Sequence, residues 1–139
     1  MTALVVDASV LAKLYFPEQN SEIAEREVRK HAEHLIAPEL LWLELASVAW
    51  KKVQRSQISG SLAQRVLSEA MQMPIRSMPI LDYIDGATKI ALETGRTVYD
   101  SLYLAVAVAE KGVVLTADER MVNALSAGAF GSHVRLLGR

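Results

Sequence analysis

The chain begins with the stretch Ala3-Leu4-Val5-Val6-Asp7-Ala8-Ser9-Val10, in which a short apolar run ends at an acidic residue and a helical pattern follows. The run has the length and composition of a fully buried strand in a parallel sheet. An aspartate directly after such a strand lies at the carboxyl edge of the sheet, where α/β proteins place their sites. The stretch therefore predicts an α/β fold with a functional edge at Asp7.

The rest of the chain alternates short apolar runs with longer helical patterns, and it contains no repeat, low-complexity segment or linker. The pattern predicts strands at 3–6, 35–37, 75–78, 113–115 and 134–137. It predicts helices at 8–15, 20–33, 39–53, 61–73, 82–94, 98–110 and 119–126. Strands that alternate with helices indicate one α/β domain over residues 1–139 with a mostly parallel central sheet.

Length and composition narrow the class of protein. A chain of 139 residues, 51% of them hydrophobic, can bury a core of its own and is not disordered. The absence of cysteine excludes disulfides, thiolate zinc sites and cysteine nucleophiles. A net charge of −1 means that any nucleic acid must be held by a local patch or through metal ions. Because the start lacks a signal peptide's basic region and no apolar run reaches ~18 residues, we expect a cytoplasmic protein without a membrane span.

Four acidic residues, Asp7, Glu44, Asp100 and Asp118, adjoin apolar segments. Ionised carboxylates are costly in such places unless they are paired or bind a metal. Asp7 and Asp118 follow predicted strands, and the other two lie on apolar helices. Helix capping is an alternative explanation for Asp7, Asp100 and Asp118.

Glu44 is harder to explain by a structural role. Its helix is apolar around most of its circumference, and the residues one turn away offer no cation to pair with. Either Glu44 shares a narrow exposed strip with Ser47 and Lys51, or it is turned toward a site. The apolar circumference also predicts that the helix is buried, against the core or against a partner surface.

If the four acids converge, their charge has to be offset. Two carboxylates ~5 Å apart repel by roughly 3 kcal/mol at an effective dielectric constant of 20. Carboxylate oxygens are ligands that hard divalent ions prefer, and the sequence offers neither cysteine nor a credible histidine cluster. Convergence therefore predicts a Mg²⁺ or Mn²⁺ site, which activates water and stabilises charge in the displacement at a phosphodiester.

Four motifs resemble those of the PIN domain family. Val5-Val6-Asp7-Ala8-Ser9-Val10-Leu11 is similar to the opening of the family, and the segment 38–47 around Glu44 resembles its second motif. Thr97-Val98-Tyr99-Asp100-Ser101-Leu102-Tyr103-Leu104-Ala105 is similar to the third, and Leu115-Thr116-Ala117-Asp118 to the fourth. The order and spacing are intact over nearly the whole chain. The length and lack of an appended domain most resemble the VapC-type toxins of toxin–antitoxin pairs.

The resemblance implies a three-layer α/β/α sandwich and an endoribonuclease that depends on Mg²⁺ or Mn²⁺ and leaves 5′-phosphate and 3′-hydroxyl ends. It also implies a homodimer and an antitoxin that blocks the groove of the active site. By motif position, the metal ligands are Asp7, Glu44, Asp100 and Asp118. The hydroxyl groups of Ser9 and Thr116 would support the site. The partner surface expected for the helix at 39–53 is then a second copy or an antitoxin peptide.

The sequence departs from the family pattern at two positions. Many members carry asparagine three residues after the helical glutamate, where this chain has Ser47. Some members carry a further acid just after the fourth aspartate; Glu119 is adjacent here, and we expect the helix to turn it away. A second metal site is therefore less well supported than the first.

Two cations near the motifs have alternative interpretations. Lys13 lies one helical turn from Ser9 and either overhangs the site to touch a phosphate or is simply solvated. Arg96 precedes Asp100 and either contacts an RNA backbone or is a loop arginine.

Other functions remain open at this point. An aspartate after the first strand also begins the haloacid-dehalogenase-type phosphatases, but their second aspartate is Ser9 here. A non-catalytic PIN module that binds RNA or protein is a second alternative. A PIN nuclease of RNA processing that has no antitoxin is a third.

Overall fold

The computed structural model describes residues 2–139, which form a five-stranded sheet with helices on both faces. The strands are β1 Leu4–Val6, β2 Leu35–Pro38, β3 Arg76–Met78, β4 Val113–Thr116 and β5 Val134–Leu136. The helices are α1 Ala8–Tyr15, α2 Ser21–Lys30, α3 Leu40–Gln54, α4 Gly60–Ala70, α5 Ile84–Thr94, α6 Val98–Ala109 and α7 Glu119–Leu125. Short 3₁₀ turns lie at Ile80–Asp82 and Gly131–His133.

The strands run in the order β3-β2-β1-β4-β5, and every pairing between them is parallel. The register sets Leu4 of β1 between Leu35 of β2 and Val113 of β4. After β1, the chain adds β2 and β3 on one side of it and then adds β4 and β5 on the other side. The topology therefore reverses between β1 and β4. In α/β sheets that reversal opens a crevice at the carboxyl ends of the two strands.

Side chains alternate between the two faces of the sheet and hold a helical layer on each. Leu4, Val6 and Leu115 pack with α1–α4 on one face. Val5 and Val114 pack with α5–α7 on the other face. All five are buried, and each such side chain contributes about 1.5–3 kcal/mol when it leaves water. The predicted three-layer α/β/α sandwich is thereby confirmed, with a sheet that is parallel throughout.

Predicted boundaries differ from the structure where tertiary pairing or proline intervenes. α2 ends at Lys30 rather than at residue 33, because the chain must turn before Leu35 enters the sheet and His34 accepts a backbone hydrogen bond from Leu4. α4 ends at Ala70 rather than at 73, since Pro74 disfavours helical backbone just before it. α5 begins at Ile84 after a 3₁₀ turn, two residues later than predicted.

The core buries only one side of α3, so the core alone does not account for the burial predicted around most of the helix. Leu41, Leu45 and Ala49 are buried in the core. Leu43 and Trp50 lie on the outward side and are 70% and 59% exposed. The sequence places apolar residues on both sides of α3, but only one side has the sheet beneath it. No helix within residues 2–139 is both long and apolar enough to cross a bilayer.

Gly112, just before β4, lies where the backbone passes very close to the residue that precedes β1. A Cβ atom there would lie 2.5 Å from the carbonyl oxygen of Ala3, which accepts a hydrogen bond from Val113. We expect Gly112→Ala to lower the free energy of unfolding by about 2 kcal/mol, because packed backbone must shift. Chemical denaturation measures this. The matched control is Gly60→Ala, whose Cβ would meet nothing within 4 Å; an equal loss in both variants would contradict the prediction.

Candidate active site

A small cleft of about 150 Å³ opens at the carboxyl edge of the sheet, where β1 and β4 lie side by side. The acids Asp7, Glu44, Asp100 and Asp118 all line it, although they come from four separate segments of the chain. The remaining lining residues are Ala8, Ser9, Tyr103, Val114 and Met121. The convergence on which the sequence argument depends is therefore present.

Asp7 lies at the centre of the hydrogen bonds that join β1 to β4. Its Oδ1 accepts hydrogen bonds from the backbone N–H of Val10, at 3.1 Å, and from the hydroxyl of Ser9, at 2.6 Å. Its backbone N–H donates to Leu115 in β4. Burial raises the pKa of Asp7, and the hydrogen bonds from Ser9, Thr116 and the backbone only partly oppose that rise. Asp7 is thus both the N-cap of α1 and a carboxylate in the cleft.

Ser9 and Thr116 occupy the supporting positions that the family motifs suggest. Ser9 donates to Asp7 and accepts a hydrogen bond from the backbone N–H of Ala117 at 3.0 Å, which ties α1 to the loop after β4. Thr116 is fully buried, and its hydroxyl oxygen accepts from the backbone N–H of Asp118 at 3.0 Å. The two hydroxyl groups therefore fix the separation and direction of the acids at the two strand ends.

Tyr103 holds Glu44, and sequence reasoning gave it no role. Its hydroxyl donates a hydrogen bond to Glu44 Oε1 at 2.5 Å across 59 positions of sequence, and the residue is 4% exposed. Burial raises the pKa of Glu44, and the nearby charges of Asp7 and Asp100 raise it further against the opposing hydrogen bond. Burial and Glu44 also raise the pKa of Tyr103, so the phenol stays protonated as a donor. The available signal was its position one turn after Asp100 on the same face of α6.

Arg96 enters the cluster of acids. Its Nη2 lies 2.9 Å from Asp100 Oδ2 and 3.8 Å from Asp118 Oδ2. The capping prediction for Asp100 holds in part: Thr97 Oγ1 accepts from the backbone N–H of Asp100, but the carboxylate of Asp100 binds Arg96. Asp118 Oδ1 accepts from the backbone N–H of Met121 and so caps α7. The contact of Arg96 with RNA stays a prediction.

Lys13 takes neither of the two positions that the sequence suggested. Its Nζ donates to the backbone oxygen of Gln19 at 2.9 Å and pairs with Glu18 at 3.3 Å. The side chain lines a neighbouring cavity of about 300 Å³ rather than the acidic cleft, and it is mostly buried. Glu119 is exposed and pairs with Arg139 at 3.6 Å, so it is turned away as expected.

The donor chemistry of the cleft fits a hard divalent ion. It offers four carboxylates and neither thiolate nor imidazole, which favours Mg²⁺ or Mn²⁺ over zinc. In the arrangement that residues 2–139 adopt, no three acidic or imidazole groups already stand at ligating distance from one point. Each acid is held by a protein donor instead: Ser9, Tyr103, Arg96 or the backbone of Met121. Ligation would require side-chain rotation within the cleft.

The PIN domain family matches residues 4–124, which span all four acids and every strand except β5. This chain belongs to the PIN domain family. The family resemblance carried by the four motifs is thereby confirmed, and a haloacid-dehalogenase-type phosphatase is no longer a competitor.

Relatives within the family are VapC proteins. The chain is 36% identical over 121 residues to Ribonuclease VapC3 of Pyrobaculum aerophilum, covering 85% of this chain and 91% of that protein. It is 29% identical over 103 residues to Exonuclease VapC9 of the same organism, covering 73% of this chain and 74% of the relative. A chain in a toxin–antitoxin complex from Klebsiella pneumoniae superposes with a TM-score of 0.66 at 18% identity and covers 96% of each chain. That superposition supports the fold.

Burial of Asp7 predicts an unusual dependence of stability on pH. Since the pKa is raised in the folded PIN domain, ionisation destabilises the fold: the stabilising contribution is complete below the ordinary pKa of 3.8 and is lost as the pH rises through the raised value. In EDTA at pH 7 we expect Asp7→Asn to raise Tm by about 3–5 °C, the shift that ~1 kcal/mol produces in a domain of this size. The asparagine retains an acceptor for Ser9 and for the cap.

Thermal unfolding from pH 7 down to pH 4 checks this, and the gain in Tm should shrink as the pH falls. Asp85→Asn is the control, because Asp85 lies on the exposed surface of α5. If the gain in Tm is absent at pH 7, or if Asp85→Asn produces the same gain, ionised Asp7 does not destabilise the fold.

Proposed function

We propose that this PIN domain is a Mg²⁺- or Mn²⁺-dependent endoribonuclease, the toxin of a VapBC-type toxin–antitoxin module. The observation that carries the proposal is the single cleft shared by Asp7, Glu44, Asp100 and Asp118 at the point where the sheet topology reverses. Its relative VapC3 is named a ribonuclease, which supports RNA as the substrate. The products would carry 5′-phosphate and 3′-hydroxyl ends.

Some residues of the site would bind the ion, and others hold the ion-binding carboxylates in position. Asp7, Glu44, Asp100 and Asp118 would hold the divalent ion, which supplies an activated water and offsets charge on the phosphate. Ser9 and Thr116 keep the two strand-end aspartates in place through hydrogen bonds. Tyr103 directs Glu44 into the cleft. Burial raises the pKa of Asp7 and of Glu44, and a bound cation would oppose that rise by favouring the carboxylate form of both.

An antitoxin and a second copy of the chain are the partners that we infer. The Klebsiella pneumoniae neighbour was solved as a toxin–antitoxin complex. Leu43 and Tyr99, which are adjacent in sequence to Glu44 and Asp100, are exposed, as expected of a surface that a protein covers. Leu81 and Leu92 are more than 80% exposed and would suit a dimer contact. We infer a cytoplasmic location, where RNA and an antitoxin are both available.

An exonuclease is the second candidate, because the relative VapC9 carries that name. A circular RNA separates the two activities. Cleavage of the circle supports the endonuclease, whereas degradation of linear RNA alone supports the exonuclease.

The proposal predicts metal-dependent cleavage that requires Asp100. A mixed panel of linear and circular RNAs should be cut with Mg²⁺ or Mn²⁺, not with EDTA, and end mapping should give 5′-phosphates. Asp100→Asn should lower the rate by at least ~100-fold, since even outer contacts of metal sites matter by 10–100-fold. Asp85→Asn should retain the wild-type rate. Cleavage that survives EDTA or Asp100→Asn would refute the proposal and favour a non-catalytic PIN module with a contaminating nuclease.

A further inference from the structure

Arg96 is fixed beside Asp100 and Asp118, two acids of the cleft, by the short connection between α5 and α6. Gly95 ends α5 in the left-handed conformation, with φ of 76°, which turns the chain sharply. The backbone N–H of Arg96 then donates to Thr94 Oγ1 at 3.1 Å, and Thr97 caps α6 immediately afterwards. These local bonds direct the side chain toward Asp100, one turn into α6.

The guanidinium differs in charge from the other donors that hold the acids. Asp7 and Glu44 accept from the neutral hydroxyls of Ser9 and Tyr103. Within the part of the chain that the structure describes, the ion pairs of Asp100 and Asp118 are both made by Arg96. One side chain therefore supplies the cationic contact to a cleft of four carboxylates.

The contact is not that of a fully satisfied structural ion pair. The Nε of Arg96 is buried and has no hydrogen-bond partner, and the distance to Asp118 is 3.8 Å. Buried polar groups in structural networks are nearly always paired, because an unpaired one carries a desolvation cost. The side chain is 23% exposed, so part of it already contacts solvent.

We propose that Arg96 is an exchangeable counter-ion that competes with the divalent ion for Oδ2 of Asp100 and of Asp118. When no ion is bound, the guanidinium offsets the repulsion among the carboxylates and keeps the cleft folded. Ion binding displaces it, so that Arg96 tunes the concentration of divalent ion at which the site fills. This inference rests on the metal site of the proposed function.

A positioning role predicts the opposite result. If Arg96 only held Asp100 in the orientation that an ion needs, its removal would weaken ion binding. If it is a competitor, its removal must strengthen ion binding while lowering stability in the absence of the ion. The direction in which ion affinity changes on removal of Arg96 therefore separates the two explanations without any measurement of cleavage.

The test compares Arg96→Gln with Arg76→Gln by Mn²⁺ calorimetry and by thermal unfolding with EDTA or Mn²⁺. Arg76 also pairs with an acid, Glu110 at 3.3 Å, but on the exposed surface, so both variants lose one positive charge. We expect Arg96→Gln to bind Mn²⁺ roughly tenfold more tightly, since one like charge beside the ion is removed. Its Tm should fall in EDTA and recover with Mn²⁺, whereas Arg76→Gln should show wild-type Mn²⁺ affinity and no greater recovery than wild type.

Binding by Arg96→Gln that is unchanged or weaker than that of wild type would overturn the inference. If the wild-type protein itself binds no Mn²⁺, that result refutes the metal site of the proposed function and therefore also this inference. If Arg96→Gln does not fold in EDTA, Arg96→Lys replaces it and should bind Mn²⁺ with affinity no lower than wild type.

The side-chain Nε–H NMR signal of Arg96 in the wild-type protein gives an independent check. It should move as Mg²⁺ is added, to saturation at the calorimetric affinity. A signal that does not move while Mg²⁺ binds would also overturn the inference.

Discussion

Four carboxylates repel one another in one small cleft, and the surrounding residues offset that repulsion. Nothing in the hydrophobic core requires Asp7, Glu44, Asp100 and Asp118 to meet, and burial together with mutual repulsion makes the meeting costly. The structure limits that cost by giving each acid a donor of its own. Asp7 and Asp118 also cap helices, so backbone N–H groups share in the solvation of these two carboxylates.

The fold brings the acids together through its strand order. Because β1 lies beside β4, the loops that follow these strands carry Asp7 and Asp118 to adjacent positions. Ser9, in the first turn of α1, then joins that helix to the loop after β4 by accepting from Ala117 while it donates to Asp7. Helices on opposite faces of the sheet supply Glu44 and Asp100 from either side.

The sequence predicted the elements and the four acids but not the contacts among their side chains. Apolar runs and their spacing located every strand, and an acid after a strand end is a local feature that needs no tertiary knowledge. The partners of the acids are not local: Tyr103 reaches Glu44 across 59 positions. The direction of Arg96 depends on how α5 meets α6. The apolar outer side of α3 could not be assigned from the sequence for a related reason, since apolar composition does not say whether the same chain or another molecule covers a surface.

The capping and site interpretations of the aspartates turned out to be compatible. Asp7 and Asp118 each use one carboxylate oxygen for a cap, and Asp118 presents its other oxygen toward Arg96. We propose that these carboxylates jointly bind one divalent ion. Anomalous diffraction from a crystal of the protein grown with Mn²⁺ tests it most directly. We expect a peak in the cleft within about 2.5 Å of oxygens from at least two of the four acids. A well-ordered crystal with no peak there, or with Mn²⁺ bound only elsewhere, would contradict it.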